Sequence, residues 1–336
     1  MTRATTAPTD IEELRQVLLA AGRVTASARL TPLAGGVSSL VAEVVDGNAR
    51  WVAKTPLARL AVVDEWRVDR RRGANEAAIL AILDGQIGPA RVPRLRFFDN
   101  DRVILGQELV AGPAPTYKGE LLAGRSRTGV AATLGRAAAA LHRLDPPRTL
   151  AGDGPRQLFE AQRLDPYYRA TALRRPELDA ALRRLILDTV EASPRRLVHG
   201  DFTPKNVLVP PGPAVVVDWE VVHTGDPAFD LGVMTAHLAL KDLRARTAET
   251  GDRPFAAAMA LWKAYDGPAD RQRALRHAGA VMLARLYGKS PVEYLADSGA
   301  RRRVHRVGEI ALHGGLSGIA ELDAAIGDAH HRDAVH

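Results

Sequence analysis

Residues 197–231 read LVHGDFTPKNVLVPPGPAVVVDWEVVHTGDPAFDL, and this stretch decides the fold. Its apolar runs are short, β-branched and bounded by turn residues: one ends at Val198, the next covers Val207 to Val209, the third Ala214 to Val217. Such runs are strands, and the Pro-Gly turn at 210–213 joins the last two as a small hairpin. Polar residues stand between them at fixed offsets: His199, Asp201, Asn206, Asp218, Asp226 and Asp230. The hairpin therefore carries one carboxylate before it, Asp201, and another after it, Asp218, and the two are expected to converge at one end. Asp226, directly before Pro227, is placed to cap the helix that follows, because proline suits a first helical turn.

Upstream of this stretch, the first half of the chain reads as a strand meander. Thr9 followed by Glu12 fits a capping box, and Ile11, Leu14, Leu18 and Leu19 share one face, predicting a bracing helix from about Asp10 to Ala21. Strand-like runs follow at 28–33, 40–45 and 50–54, with the loop Gly35-Gly36-Val37-Ser38-Ser39 between the first two. Glycines let backbone amides approach a phosphate chain, and the two serines add donors, although a glycine pair in a hairpin is more often just a turn. Lys54 ends the apolar strand Trp51-Val52-Ala53, which points to a charge brought inward. Glu76 lies in a helical segment of 74–83 and is a candidate partner for it. Strands at 94–98 and 102–109 complete five, and Glu108 to Gly112 reads as a hinge before a helical second half.

That second half has a long alanine-rich helix over 128–144, a loop at 148–153, and helices near 156–170 and 177–192. After the opening stretch, helices are expected at 229–241, 255–265, 270–287, 298–312 and 318–326, and the histidine-containing end 330–336 reads as a frayed tail. His142 reads as a packing or capping residue.

Composition excludes several classes. The 336 residues are 46% hydrophobic and 25% charged, ordinary for a globular protein, and there is no cysteine for a disulfide framework or a thiolate metal site. No run approaches the apolar length of a membrane span, and the N-terminus lacks a leader-like apolar segment, so a cytoplasmic protein with no membrane partner is expected. The formal charge of +7 invites a nucleic-acid partner. Its arginines, however, are scattered among alanine and leucine, with knots only at Arg67, Arg70, Arg71, Arg72 and at Arg301, Arg302, Arg303, Arg306, and aromatics are only 5%. That pattern describes solvated helix faces rather than a nucleic-acid stripe.

Taken together, the Gly-rich hairpin, strand lysine, helix glutamate, hinge, HGDFTPKN, DWE and GDPAFDL resemble the aminoglycoside phosphotransferase family, the choline-kinase-like small-molecule kinases, whose pattern runs HGDxxxxN, Asp-aromatic, GDPxxDL. The resemblance covers nearly the whole chain. It implies an α+β, two-lobed protein-kinase-like fold, with an N-lobe of antiparallel sheet and helices over 1–111 and a mainly helical C-lobe over 112–336. It further implies an ATP- and Mg2+-dependent kinase acting on a hydroxyl of a small molecule, as a monomer or homodimer. Asp201 would be the catalytic-loop base, Asn206 and Asp218 the metal ligands, and Lys54, fixed by Glu76, the holder of the α- and β-phosphates. The loop 35–39 would cover the phosphates, and the main chain of Glu108, Leu109 and Val110 would read adenine. Lys205, four residues after Asp201 and directly before Asn206, is placed to reach the γ-phosphate, with a solvated loop lysine as the equal alternative. His199 and Asp230 would hold the loop in shape. Trp219-Glu220 stands where regulated protein kinases carry Phe-Gly, and no APE segment follows, which argues against a phosphorylation-gated protein kinase. A non-catalytic nucleotide-binding scaffold is the alternative. The acids and bases after Leu231 are balanced, which gives no polycation signature for the acceptor and leaves an uncharged or anionic metabolite open.

Overall fold

The computed structural model describes residues 8–33, 39–57, 69–245 and 253–333. Helix α1 (Ile11–Ala20) opens the chain, capped by Asp10, whose carboxylate accepts from Glu13 N–H at 2.8 Å while Glu13 reaches back to Thr9 N–H at 2.7 Å. The capping box is thus one residue later than Thr9–Glu12, because the aspartate beside Thr9 is the stronger cap. Strands β1 (Arg29–Pro32), β2 (Ser39–Asp46) and β3 (Ala49–Pro56) form the meander, followed by helix α2 (Arg72–Leu83). Two short strands, β4 (Gln86–Ile87) and β5 (Ala90–Arg91), precede β6 (Leu95–Asp99) and β7 (Ile104–Glu108). The main sheet is antiparallel throughout in the order β1-β2-β3-β7-β6.

One face of that sheet is closed by α1: Leu14 and Leu18 pack with Ala42, Val44, Trp51, Ala53 and Ile104 in a separate small core. The rest of the chain shares one large core that begins in α2 and runs to the last helix. Helices α3 (Tyr117–Leu122) and α4 (Thr128–Arg143) come next. The stretch expected as a loop at 148–153 is instead the short helix α5 (Arg148–Ala151), anchored by fully buried Leu150. Helix α6 (Asp153–Phe159) continues into a π-helical segment, Glu160–Arg169, and then α7 (Ala170–Arg174). Pro166 lies inside the wide turns, where its missing N–H breaks the ordinary ladder. Helix α8 (Asp179–Val190) leads to the deciding stretch.

There β8 (Arg196–Val198) pairs with β11 (His223–Gly225), while β9 (Val207–Leu208) and β10 (Val215–Val216) form the expected hairpin. The hairpin joins β4 and β5 in a four-stranded sheet, Val215 standing opposite Arg91, so it ties the two halves together. The strands β4, β5 and β11 had no sequence signal, being two or three residues long. The C-terminal half closes with α9 (Pro227–Ala245), α10 (Pro254–Ala264), α11 (Arg271–Tyr287), α12 (Ser298–Leu312) and α13 (Ile319–Asp333). The supposed frayed tail is a correction: α13 extends through His330 to Asp333, carried by Ile326 and Ala329 on its buried face. Among the described residues no helix is long and apolar enough to cross a membrane.

Candidate active site

Alternation along a strand sends Lys54 inward, opposite Leu105 of β7, and leaves it 5% exposed. Such a charge needs partners. It has two: Lys54 Nζ lies 2.7 Å from Glu76 Oε2 and 2.5 Å from Asp218 Oδ1. The expected pair with Glu76 is therefore present, and Asp218 joins it across the two halves of the chain. Burial pulls the lysine down, but the Asp218 and Glu76 carboxylates outweigh it and hold the ammonium above its ordinary value. Burial raises Glu76, and Lys54 only partly offsets that. Asp218 is held well below the usual carboxylate range because Lys54, followed by Lys205, overcomes its burial. Asp218 also adopts φ 67, a left-handed conformation rare outside glycine that turns its carboxylate out of the strand line.

The loop between β8 and β9 is held from below. Asp230, in the first turn of α9, accepts from His199 N–H at 2.7 Å and Gly200 N–H at 2.9 Å, and its Oδ2 lies 3.2 Å from His142 Nε2. His199 is fully buried, packs its ring 4.4 Å from that of Trp219, and bonds Val217 O at 3.2 Å. Burial lowers its pKa despite Asp230, so it stays a neutral structural ring. Gly200 turns at φ 76, where a Cβ would stand 2.6 Å from Val221 O. His142, bridging Asp230 and the Tyr265 hydroxyl at 2.9 Å, is a packing residue as expected. Asp226 caps α9 through Ala228 N–H at 3.0 Å and pairs with Arg273 at 2.5 Å.

This support aims Asp201, 1% exposed, into a cationic cradle. Its Oδ2 receives Asn206 Nδ2 at 2.8 Å, Arg163 Nη2 at 2.9 Å and Lys205 Nζ at 3.0 Å. Its Oδ1 is buried with no hydrogen-bond partner among the described residues, as is the nearby Thr203 Oγ1. Burial alone would raise the carboxyl, but Arg163 and then Lys205 keep it below its ordinary value. Because Asn206 donates from Nδ2, to Asp201 O at 3.0 Å as well, its Oδ1 is left as an acceptor. Asn206 and Asp218 thus offer hard oxygens, the donor type that suits Mg2+, an ion that keeps waters and takes few protein ligands.

Three charged residues of the site escaped the sequence reading. Arg163 comes from the π-helical segment. Arg72 and Glu220 form a further buried ion pair, Nε to Oε2 at 3.1 Å, and Ser39 Oγ reaches the same oxygen at 3.4 Å. Arg72 also donates to Leu57 O at 2.8 Å and Asp69 O at 3.0 Å, which locks the start of α2 to the chain before it. Only the arginine knot at 70–72 hinted at this. Of the residues expected to read adenine, Glu108 ends β7 and pairs with Arg91 at 2.5 Å, while Leu109 and Val110 follow, half-buried and outside any strand. Gly35, Gly36, Val37 and Ser38 lie outside the described residues.

The arrangement brings a buried lysine–carboxylate pair to one side of a hairpin and a cation-cradled carboxylate to the other, which is the geometry of a phosphoryl-transfer enzyme. The model of the phosphotransferase enzyme family (APH) matches residues 29–274, and the chain belongs to that family, whose members are small-molecule kinases. In fold it is similar to macrolide 2'-phosphotransferase MphH from Brachybacterium faecium, with 21% identity, coverage of 90% of this chain and 98% of that one, and a TM-score of 0.52. It is likewise similar to the ethanolamine kinase Pv091845 of Plasmodium vivax, at 13% identity over 97% and 90% of the chains, TM-score 0.51. The aminoglycoside phosphotransferase APH(2")-IIa in its gentamicin complex matches at 15% identity over 94% and 99%, TM-score 0.52. A comparison with curated proteins finds no match.

Proposed function

We propose that this protein transfers the γ-phosphoryl group of ATP to a hydroxyl of a small molecule, with residues 1–111 as the nucleotide-holding lobe and 112–336 as the lobe that receives the acceptor. The observation that carries the reading is the convergence of Lys54, Glu76 and Asp218 with Asp201 and Asn206 around one hairpin. Lys54 would bind the α- and β-phosphates once released from Asp218, with Glu76 keeping it charged and in place. Asp201 would orient the acceptor hydroxyl and take its proton as the oxygen bonds to the γ-phosphorus and the bond to the β-phosphate oxygen breaks, releasing ADP. Its partnerless Oδ1 is the oxygen open to that proton. Asn206 and Asp218 would hold Mg2+, which when bound neutralises phosphate charge. Lys205 would turn from Asp201 to the γ-phosphate, the loop 35–39 would cover the phosphates, and the main chain of 108–110 would read the adenine edge. All these positions carry the chemical groups the reaction needs, which favours an enzyme over a non-catalytic scaffold, and an ATP-using enzyme of this kind would work in the cytoplasm.

The test is ADP release from ATP and Mg2+ across a panel of hydroxylated acceptors, with Asp201→Asn beside the native chain. Transfer should fall by about 10²- to 10⁴-fold while nucleotide binding persists. Full turnover by Asp201→Asn would refute the assignment of the base.

A further inference from the structure

Beside the catalytic loop, the helical half holds a group of cations of which three, Lys118, Lys241 and Arg285, have no carboxylate partner among the described residues. Lys241, near the end of α9, is 2% exposed. Its Nζ donates to His237 O at 3.1 Å and stands 5.5 Å from the centre of the Tyr294 ring. Arg285 of α11 lies over Tyr167 at 5.7 Å and donates from Nη1 to Ser290 Oγ at 3.0 Å, while its Nε is buried without a partner among the described residues. Lys118 of α3 and Lys205 are exposed at the rim. Among the described residues, Lys118, Lys241 and Arg285 pair with no carboxylate, although the chain forms such pairs freely elsewhere.

An unused polar atom faces the same region: the Tyr294 hydroxyl, on the ring beside Lys241, is buried with no partner among the described residues. Burial, followed by the charges of Lys118 and Arg285, pushes Lys241 down to about 7. Burial drives His237 well below its ordinary value too, and Lys241, Arg285, Lys205 and Lys118 add to it. Helices α3 and α9, which carry Lys118 and Lys241, both pack on the turn at 204–206 that bears Lys205, and Lys205 reaches Asp201 at 3.0 Å, so the cluster and the catalytic loop adjoin. A buried ammonium without a counter-ion is unfavourable, and cations gathered around idle donors are matched by an incoming anion.

We propose that this cluster is the acceptor subsite and that the acceptor carries an oxyanion group, a carboxylate or a phosphate, received by Lys241, Arg285 and the Tyr294 hydroxyl while its reacting hydroxyl points to Asp201. The inference rests on the phosphotransferase reading above and narrows it. A quaternary ammonium or polyamine acceptor would meet unbalanced like charge here, whereas an oxyanion supplies the missing counter-charge and accepts the orphaned donors.

The experiment pairs acceptors that differ in the anion: gluconate with glucose, and glycerol 3-phosphate with glycerol, with choline and kanamycin as cationic arms. ADP release is measured for the native chain, Lys241→Met and Arg285→Gln. At least one anionic acceptor should exceed its neutral twin in kcat/KM by about tenfold or more, and both substitutions should remove that advantage mainly through KM. Whichever pair responds tells carboxylate from phosphate. Preference for the neutral or cationic acceptors overturns the inference and leaves the phosphotransferase reading standing.

A second readout needs no catalysis. Sodium sulfate, compared with sodium chloride at matched ionic strength, should raise the Tm of the native chain, and Lys241→Met and Arg285→Gln should lose that increment. Exposed Lys118→Ala, which cannot disturb the core, should reduce it. Sulfate stabilisation that is lost in these variants, together with no transfer to any acceptor, sinks the phosphotransferase reading and keeps the anion site. Stabilisation that is absent, or unaltered by all three substitutions, overturns the anion site.

Discussion

Arg163 Nη2 lies 2.9 Å from Asp201 Oδ2, so the carboxylate proposed as the base is gripped by a buried guanidinium from a different segment of the chain. The grip is asymmetric: Arg163, Lys205 and Asn206 share one oxygen, and the other is left bare. That asymmetry fixes which oxygen can meet a hydroxyl. It also makes the π-helical segment part of the site's support, since an ordinary helical ladder interrupted at Pro166 would carry Arg163 to another angle.

Arg163→Met should therefore lower kcat by about 10- to 100-fold while KM for ATP changes little, because the nucleotide is held by other residues. Arg163→Lys, which restores a charge without the fork, should recover part of the loss. Steady-state kinetics across ATP concentrations checks this, and a change confined to KM for ATP counts against it.

Lys54 holds two carboxylates at once, and removing it leaves both without their cation. Lys54→Met is expected to destabilise by about 3–5 kcal/mol and raise KM for ATP about tenfold or more. Glu76→Gln, which leaves Lys54 bonded to Asp218, should cost less in urea unfolding, about 1–2 kcal/mol. Equal losses in the two variants contradict the shared geometry.

Gly200 has no room for a side chain. Gly200→Ala combines a left-handed backbone, about 1–2 kcal/mol by itself, with a contact 2.6 Å from Val221 O that displaces the loop bearing Asp201. Gly47→Ala, at φ 57 in open space, carries the backbone strain alone. Chemical denaturation should rank Gly200→Ala clearly below Gly47→Ala, with activity lost only in the former.

Lys241 gives a pH signature with a definite sign. Its folded value of about 7 lies below the ordinary lysine value of 10.5, so between these the unfolded chain binds more protons and stability rises with pH. The groups facing it are His237 on its own helix, Lys118 of α3, Arg285 of α11 and Tyr294. Relative to Lys241→Met, the native chain should gain on the order of a few kcal/mol from pH 7 to 10. Parallel stability profiles for the two proteins contradict a depressed lysine.

Much of the fold was legible because its signals are local. The five main strands alternate or run apolar between turn residues, and the long C-terminal helices carry buried stripes, so both emerge from spacing alone. What failed to emerge depends on distant partners. Strands β4 and β11 exist only because β5 and β8 supply their hydrogen bonds, and α5 forms where buried Leu150 docks. The first cap moved by one residue because two adjacent residues, Thr9 and Asp10, can each accept, and the aspartate is the stronger cap.

The sequence by itself determined the order of the chemical groups. His199, Asp201, Asn206, Asp218 and Asp230 sit at separations that a loop, a hairpin and a helix start impose, and these are short-range constraints a linear string records. Only the tertiary structure decided which charges meet: Arg163 with Asp201, Lys54 with Asp218 as well as Glu76, Arg72 with Glu220, and Lys118, Lys241 and Arg285 with no carboxylate among the described residues. The physical reason is that charge pairing depends on distance in space and on burial, and neither varies with separation along the chain.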